Sequence, residues 1–235
     1  MATAAATTVS MSTNAIVAQQ LPVMEMFYTL QGEGRHSGRA AYFIRLGGCD
    51  VGCVWCDVKE SWDAQKHPLL HIDTIVHHAV QEVHTHCPRT TPTGSTALQM
   101  QAPLPAVVTG GEPLLHELTN LTKALHAAGF QTHIETSGAH PLSGSWDWIC
   151  LSPKKFKAPL PGILPLAHEL KVVIYNRSDF EWAEQYAAQV APGCKLYLQP
   201  EWEKADRVTP LIVEYIKAHP QWELSLQIHK YIQVP

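Results

Sequence analysis

Three cysteines fall within eight residues of the segment GGCDVGCVWCD (residues 47–57): Cys49, Cys53 and Cys56, spaced C-x3-C-x2-C. So short a loop cannot pair three thiols with one another as disulfides, but it can bring three thiolates to one metal centre. Iron–sulfur clusters are held by cysteine thiolates, as a rule four per cluster. Three from one loop leave a position open for an outside ligand, much as catalytic zinc keeps one open. The same cysteines with a histidine such as His67 or His71 also make a structural zinc set, and three unligated thiols are the plainest alternative. The apolar run AAYFIRL just before the loop reads as a buried strand that delivers the cysteines at its end.

At 235 residues the chain suits one sizeable core. Residues 1–22 lack the charged start and continuous apolar stretch of a secretory signal and read as a flexible tail ahead of a single domain, 23–235. The formal net charge of −4 and the lack of a basic run argue against nucleic-acid binding. No apolar run approaches the roughly 20 residues needed to cross a bilayer. Cys87, Cys150 and Cys194 are scattered singly, which fits a reducing cytoplasm better than a disulfide scaffold.

Along the chain, strand-like VMEMFYTL (23–30) leads into the QGEG turn (31–34), and AAYFIRL follows with one charge, Arg45. An arginine in a buried run needs a partner, either a structural carboxylate or a ligand carboxylate gripped by its planar fork. Apolar residues spaced three and four apart predict a helix over 73–86, with its several histidines mostly on the polar side. Residues 87–105 read as a loop. Strands are then expected at 104–111, 130–138, 146–153, 169–175 and 195–200, with helices at 116–128, 179–190 and 204–218. Short apolar strands alternating with helices imply a parallel sheet covered by helices. The strand ends carry TGGEP, ETSG, SPK, QPEW and HKY. Ligands bind at the carboxyl ends of strands in such folds, so all the unusual residues are expected on one rim.

The C-x3-C-x2-C spacing with Trp55 before the last cysteine resembles the radical S-adenosylmethionine (SAM) superfamily. Within it, nearly the whole chain after residue 22 is similar to the 7-carboxy-7-deazaguanine synthase family of queuosine-precursor biosynthesis. The similarity lies in FYTLQGEG (27–34), R-x3-C-x3-C-x2-CD (45–57), TGGEP (109–113), ETSG (135–138), SPK (152–154), QP (199–200) and the terminal HKYIQVP. TGGEP is shared across the superfamily, whereas QGEG and HK-x4-P are more particular to this enzyme.

The resemblance implies a partial (β/α)6-type radical SAM barrel, a single α/β domain that forms a homodimer in the cytoplasm. Cys49, Cys53 and Cys56 would ligate a [4Fe-4S] cluster. Trp55, Asp57, Gly111, Glu112, Ser152, Pro153, Lys154, Gln199, Pro200, Glu201 and Trp202 would bind SAM. Leu30, Gln31, Gly32, Glu33, Arg45, Thr109, His229 and Pro235, the last through the terminal carboxylate, would hold the substrate, with Arg45 on its carboxylate. A terminal carboxylate in that role accounts for a chain stopping at a proline directly after a strand. The implied reaction starts with an electron from a donor such as flavodoxin or ferredoxin. SAM is cleaved to a 5'-deoxyadenosyl radical that takes hydrogen from 6-carboxy-5,6,7,8-tetrahydropterin. The ring contracts, ammonia leaves and SAM is regenerated.

One position departs from the family. A Thr or Ser that ligates Mg2+ commonly follows the CD of the cluster loop, and here Val58 has no oxygen to offer. Mg2+ is then left to water and substrate, to a side chain such as Glu60, or to no site at all. The rivals are a glycyl-radical activating enzyme, which has no use for QGEG or the terminal HK-x4-P, and a zinc-stabilised binding module, which leaves TGGEP and SPK without a role.

Overall fold

A computed structural model describes residues 19–87 and 103–235. Nine strands form one mixed sheet in the order β3-β1-β2-β4-β5-β6-β7-β8-β9. In chain order they are β1 (Gln20–Leu30), β2 (Ala40–Leu46), β3 (Leu69–His71), β4 (Leu104–Gly110), β5 (Phe130–Thr136), β6 (Trp148–Leu151), β7 (Glu169–Ile174), β8 (Lys195–Pro200) and β9 (Trp222–Leu224). Each neighbouring pair from β2 through β4 to β9 is parallel. The crossovers carry α1 (Ile72–His86), α2 (Thr119–Ala127), α3 (Ser178–Ala187) and α4 (Ala205–Ala218). The sheet stays open, with β3 and β9 as its edges. A short parallel barrel was expected, and this is its unclosed form.

The elements follow the apolar periods. Along α1 the buried residues Ile72, Ile75, Ala79 and Val83 recur every three or four positions. Burying each Ile or Val there contributes roughly 1.5–3 kcal/mol. Along the central strands the period is two. Ile44, Val108, Ile134, Val172 and Leu198 enter the main core, while the alternate positions Arg45, Thr109, Glu135, Lys171, Val173 and Gln199 line a cavity on the other face. That alternation is how one sheet builds a core and a site at once.

Three expectations are corrected. The sheet is not wholly parallel, since β1 runs antiparallel to both β2 and β3. The loop between β1 and β2 turns the chain back, with Gly38 N donating to Gln31 O at 2.7 Å and Gln31 N to Arg39 O at 2.8 Å. The sheet also begins earlier than the tail boundary at residue 22 allowed. Leu21 and Pro22 pair with Leu70 and Leu69, and Leu21 is buried. The rest of the tail, residues 1–18, lies outside the described residues, as does most of the 87–105 loop. Finally, the chain does not stop directly after a strand: α5 (Ile228–Ile232) follows β9 and is capped by Gln233 in the left-handed region at φ 57°.

Candidate active site

A cavity of about 540 Å3 opens at the carboxyl ends of the parallel strands. It is lined by every residue that the family resemblance assigns to the cluster, SAM or the substrate, except Pro153. That proline is buried beside the site and sets the backbone of the SPK segment.

The cysteine loop is fastened to the end of β4 through backbone. Gly111 N donates to Leu46 O at 3.0 Å, and Glu112 N to Gly48 O at 2.8 Å. A Cβ on Gly110 would meet Leu46 O at 2.1 Å, and one on Gly111 would meet Gly48 O at 2.2 Å. The two glycines of TGGEP therefore exist for this approach. Glu112 is buried, and its carboxylate accepts from Leu114 N at 3.0 Å, Thr136 Oγ1 at 2.6 Å, Ser137 N at 2.8 Å and Ser137 Oγ at 2.5 Å. It ties TGGEP to ETSG and so fixes two strand ends under the loop.

Two ion pairs hold the loop from outside. Asp50 lies 2.6 Å from Lys157 Nζ and 2.9 Å from His140 Nε2. Asp57 lies 2.7 Å from Lys230 Nζ on α5. Desolvation pushes the Asp57 carboxyl up, but Lys230 more than offsets it and holds the group below its ordinary value. Lys230 also sits 4.7 Å from the ring centre of Trp202. Lys154 stands 5.4 Å from the ring centre of Trp55 and donates to Ser152 Oγ at 2.5 Å.

Cys49, Cys53 and Cys56 are free thiols on one wall, packed with Val51, Trp55 and Ala139. Burial pushes the Cys53 thiol up to about 11, with Lys154 pulling the other way, and burial raises Cys49 as well. The histidines of the zinc alternative are placed elsewhere. His67 Nε2 is 2.9 Å from the backbone oxygen of Glu60, and His71 Nε2 is 3.0 Å from Gln20 Nε2 on the β1–β3 edge. Neither lines the cavity.

The QGEG turn reaches the cavity from the other direction, because the end of antiparallel β1 lies beside the start of β2. The single-rim expectation holds for the other motifs but not for this one. Gly32 leaves room for His229, whose Nδ1 would be 2.0 Å from an added Cβ. Gly34, at φ 61°, leaves room for Glu169 Oε1, 1.9 Å from such a Cβ. Ile228 N donates to Gly32 O at 2.9 Å and Gly34 N to Ser225 Oγ at 2.9 Å, so the turn is laced to the C-terminal segment.

Between them lies a polar network that the sequence reading passed over. Lys171, on β7 and only 3% exposed, pairs with Glu33 and lies 3.2 Å from Glu135. Gln31 Nε2 donates to Glu135 Oε1 at 2.8 Å, and Gln227 Nε2 to Glu33 Oε1 at 2.9 Å. Burial alone would raise the Glu33 carboxyl, but Lys171 and Gln227 take it down to about 2. Arg45 serves the structural half of its expected role, its Nε 2.6 Å from Glu25 directly across the β1–β2 pair. Tyr175 lines the cavity beneath Lys204, whose Nζ is 5.7 Å from its ring centre.

An open, mostly parallel sheet with a three-cysteine loop and a deep polar cavity at its carboxyl rim defines an enzyme of the partial-barrel α/β class. No protein-family model matches the chain. It is 52% identical over 217 residues to the 7-carboxy-7-deazaguanine synthase of Flavobacterium psychrophilum, covering 92% of this chain and 94% of that one. It is 49% identical to the synthase of Synechocystis sp. over 91% and 93% of the two chains, and 34% identical to that of Escherichia coli K12 over 92% and 99%. The crystal structure of QueE from Escherichia coli superposes with a TM-score of 0.70 at 30% identity, covering 92% of this chain and 98% of that one. The chain belongs to the 7-carboxy-7-deazaguanine synthase family.

Proposed function

We propose that the chain converts 6-carboxy-5,6,7,8-tetrahydropterin to 7-carboxy-7-deazaguanine with loss of ammonia, as a radical SAM enzyme of queuosine-precursor biosynthesis. The observation that carries this is the meeting, in one cavity, of the three-cysteine loop, Arg45 and the Glu33–Lys171–Glu135 network.

The residues fit an iron–sulfur cluster. Three free thiols share a wall that faces open cavity. In such a cluster each thiolate meets a different iron, so three thiols on one loop suit it. Cys49, Cys53 and Cys56 would hold a [4Fe-4S] cluster whose open iron takes SAM. When bound, these groups supply the one-electron chemistry that starts hydrogen abstraction from the substrate.

The protein's own part is positioning. Arg45, whose Nε lies 2.6 Å from Glu25 without a hydrogen bond between them, offers its guanidinium to the substrate carboxylate. Glu33 and Glu135 offer acceptors to the N–H groups of the pterin. The glycine-lined end of β4, Trp55 with Lys154, and the 199–202 segment form the SAM side. Trp202, stacked edge-on to Tyr231 at 5.4 Å, narrows the mouth against water. Val58 lines the cavity and Glu60 does not, so no side-chain oxygen follows Asp57 into the site, and we assign a weaker dependence on Mg2+ than the family norm. The cytoplasm, a homodimer and reduction by a flavodoxin- or ferredoxin-type donor complete the proposal. Iron-loaded protein given the pterin, a reductant and SAM should form several equivalents of 7-carboxy-7-deazaguanine per SAM consumed. No such product from cluster-loaded protein would overturn the proposal, and steep activation by Mg2+ would remove the magnesium assignment.

A further inference from the structure

Lys171 is a charged residue of the cavity that the family motifs leave without a role. It lies in the apolar run ELKVVIY, points to the cavity face of β7, and is 3% exposed. A lysine so deeply buried is costly unless its charge is matched. Here two carboxylates match it. Glu33 comes from the QGEG turn and Glu135 from the end of β5, and both line the cavity. Without a cation between them, two carboxylates converging on one point cannot both stay ionised.

We propose that Lys171 is a positioning residue, the counter-ion that keeps Glu33 and Glu135 jointly ionised so that both present acceptors to the N–H edge of the pterin. The inference rests on the substrate proposed above. It follows from the geometry of acceptors. An ionised carboxylate only accepts, while a protonated one donates. A pterin edge made of N–H donors needs the first state at both positions.

The surroundings bear on how these groups titrate. Cys150 on β6, Glu169 on β7 and Lys154 in the loop after β6 face Lys171, and His229, Gln227 and Asp57 face Glu33. Burial would depress the Lys171 ammonium, but the anionic groups around it hold it well above its ordinary value, so it stays charged throughout the working range. The cation on which the pair depends is therefore permanent, and binding of the pterin should not vary with pH on its account.

The test compares Lys171→Met, Lys171→Arg and the double variant Lys171→Met with Glu135→Gln. The double variant removes one charge of each sign and guards against a fold lost to two unmatched carboxylates. Wild type and Lys171→Arg should keep a substrate KM that is flat between about pH 6 and 8, with KM in Lys171→Arg raised only a few fold. Lys171→Met should show KM raised about tenfold or more at pH 6 and recovering toward pH 8, since one lost charged hydrogen bond weakens binding by about that factor. The double variant keeps a single carboxylate, so its KM should be raised but flat with pH. SAM affinity and iron content should be unchanged. Infrared spectra recorded without substrate should show a protonated carboxyl band near neutral pH in Lys171→Met that wild type and the double variant lack. A flat KM and no such band in Lys171→Met would overturn the assignment. If the wild type fails to bind the pterin, the function proposed above falls, while the infrared result still decides the role of Lys171.

Discussion

Asp57, one residue past the last cysteine, stands 2.7 Å from Lys230 Nζ in the last helix, 173 residues along the chain. Gln227 Nε2 lies 3.4 Å from the same carboxylate oxygen and 2.9 Å from Glu33. One amide thus joins the cysteine loop to the substrate side of the cavity. The C-terminal segment is the third wall of the site.

The first prediction concerns that wall. The Asp57 side chain is 54% exposed, so the pair is worth only about 0.2–1 kcal/mol of stability. Lys230→Met should leave the melting temperature nearly unchanged yet raise substrate KM several fold, because His229 and Pro235 ride on the same segment. Asp57 has its carboxyl below the ordinary value, so the pair is intact above about pH 4 and is lost only below it. The effect of Lys230→Met should therefore not vary between pH 6 and 9. Unchanged KM, or a large fall in melting temperature, would contradict this account.

Gly111→Ala should uncouple the cysteine loop from β4. The added Cβ would lie 2.2 Å from Gly48 O and 2.8 Å from Cys49 Cβ, and no side-chain rotation can relieve a clash with backbone. A loss of about 1–3 kcal/mol in stability is expected, together with lower iron per chain after reconstitution. Iron content and denaturant midpoint measure the two effects, and wild-type values for both would refute the coupling.

Acid stability should report the Glu33–Lys171 pair. The folded carboxyl titrates at about 2 against an ordinary 4.5. A depressed carboxyl stabilises the fold above about pH 4.5, and that contribution drains away as pH falls toward 2. It amounts to on the order of 3 kcal/mol. Urea midpoints of Glu33→Gln should fall less steeply than wild type across that window, while above pH 5 the variant should be the less stable protein. Parallel curves would show that the pair contributes nothing.

Arg45→Ala should weaken substrate binding by about tenfold or more, the scale of a lost charge-assisted pair, and leave SAM affinity within about twofold. Equal losses for both ligands in equilibrium titrations would contradict the role given to the guanidinium.

Much of this site was legible in the sequence because its chemistry is carried by short motifs. TGGEP, ETSG, QGEG and the cysteine loop each hold their residues within a few positions, and each lines the cavity. What was missed is long-range. Lys171 could have been found by the reasoning applied to Arg45, a lone cation in an apolar run. Its partners come from 138 and 36 residues away, and no spacing announces them. Gln227 carries no local signal at all. The direction of β1 was not legible because periodicity reports burial and not orientation, and only the hydrogen-bonded loop after it turns the chain back. The backbone that the two TGGEP glycines approach, at Leu46 and Gly48, carries no signal in the sequence.

The central claim is that this cavity performs the ring contraction on the pterin. The most direct test is anaerobic turnover of iron-reconstituted protein with SAM, a reductant and 6-carboxy-5,6,7,8-tetrahydropterin, read by mass spectrometry. The account predicts 7-carboxy-7-deazaguanine from the wild type and none from Cys53→Ala. 5'-Deoxyadenosine without that product, from protein whose cluster is intact, would contradict it.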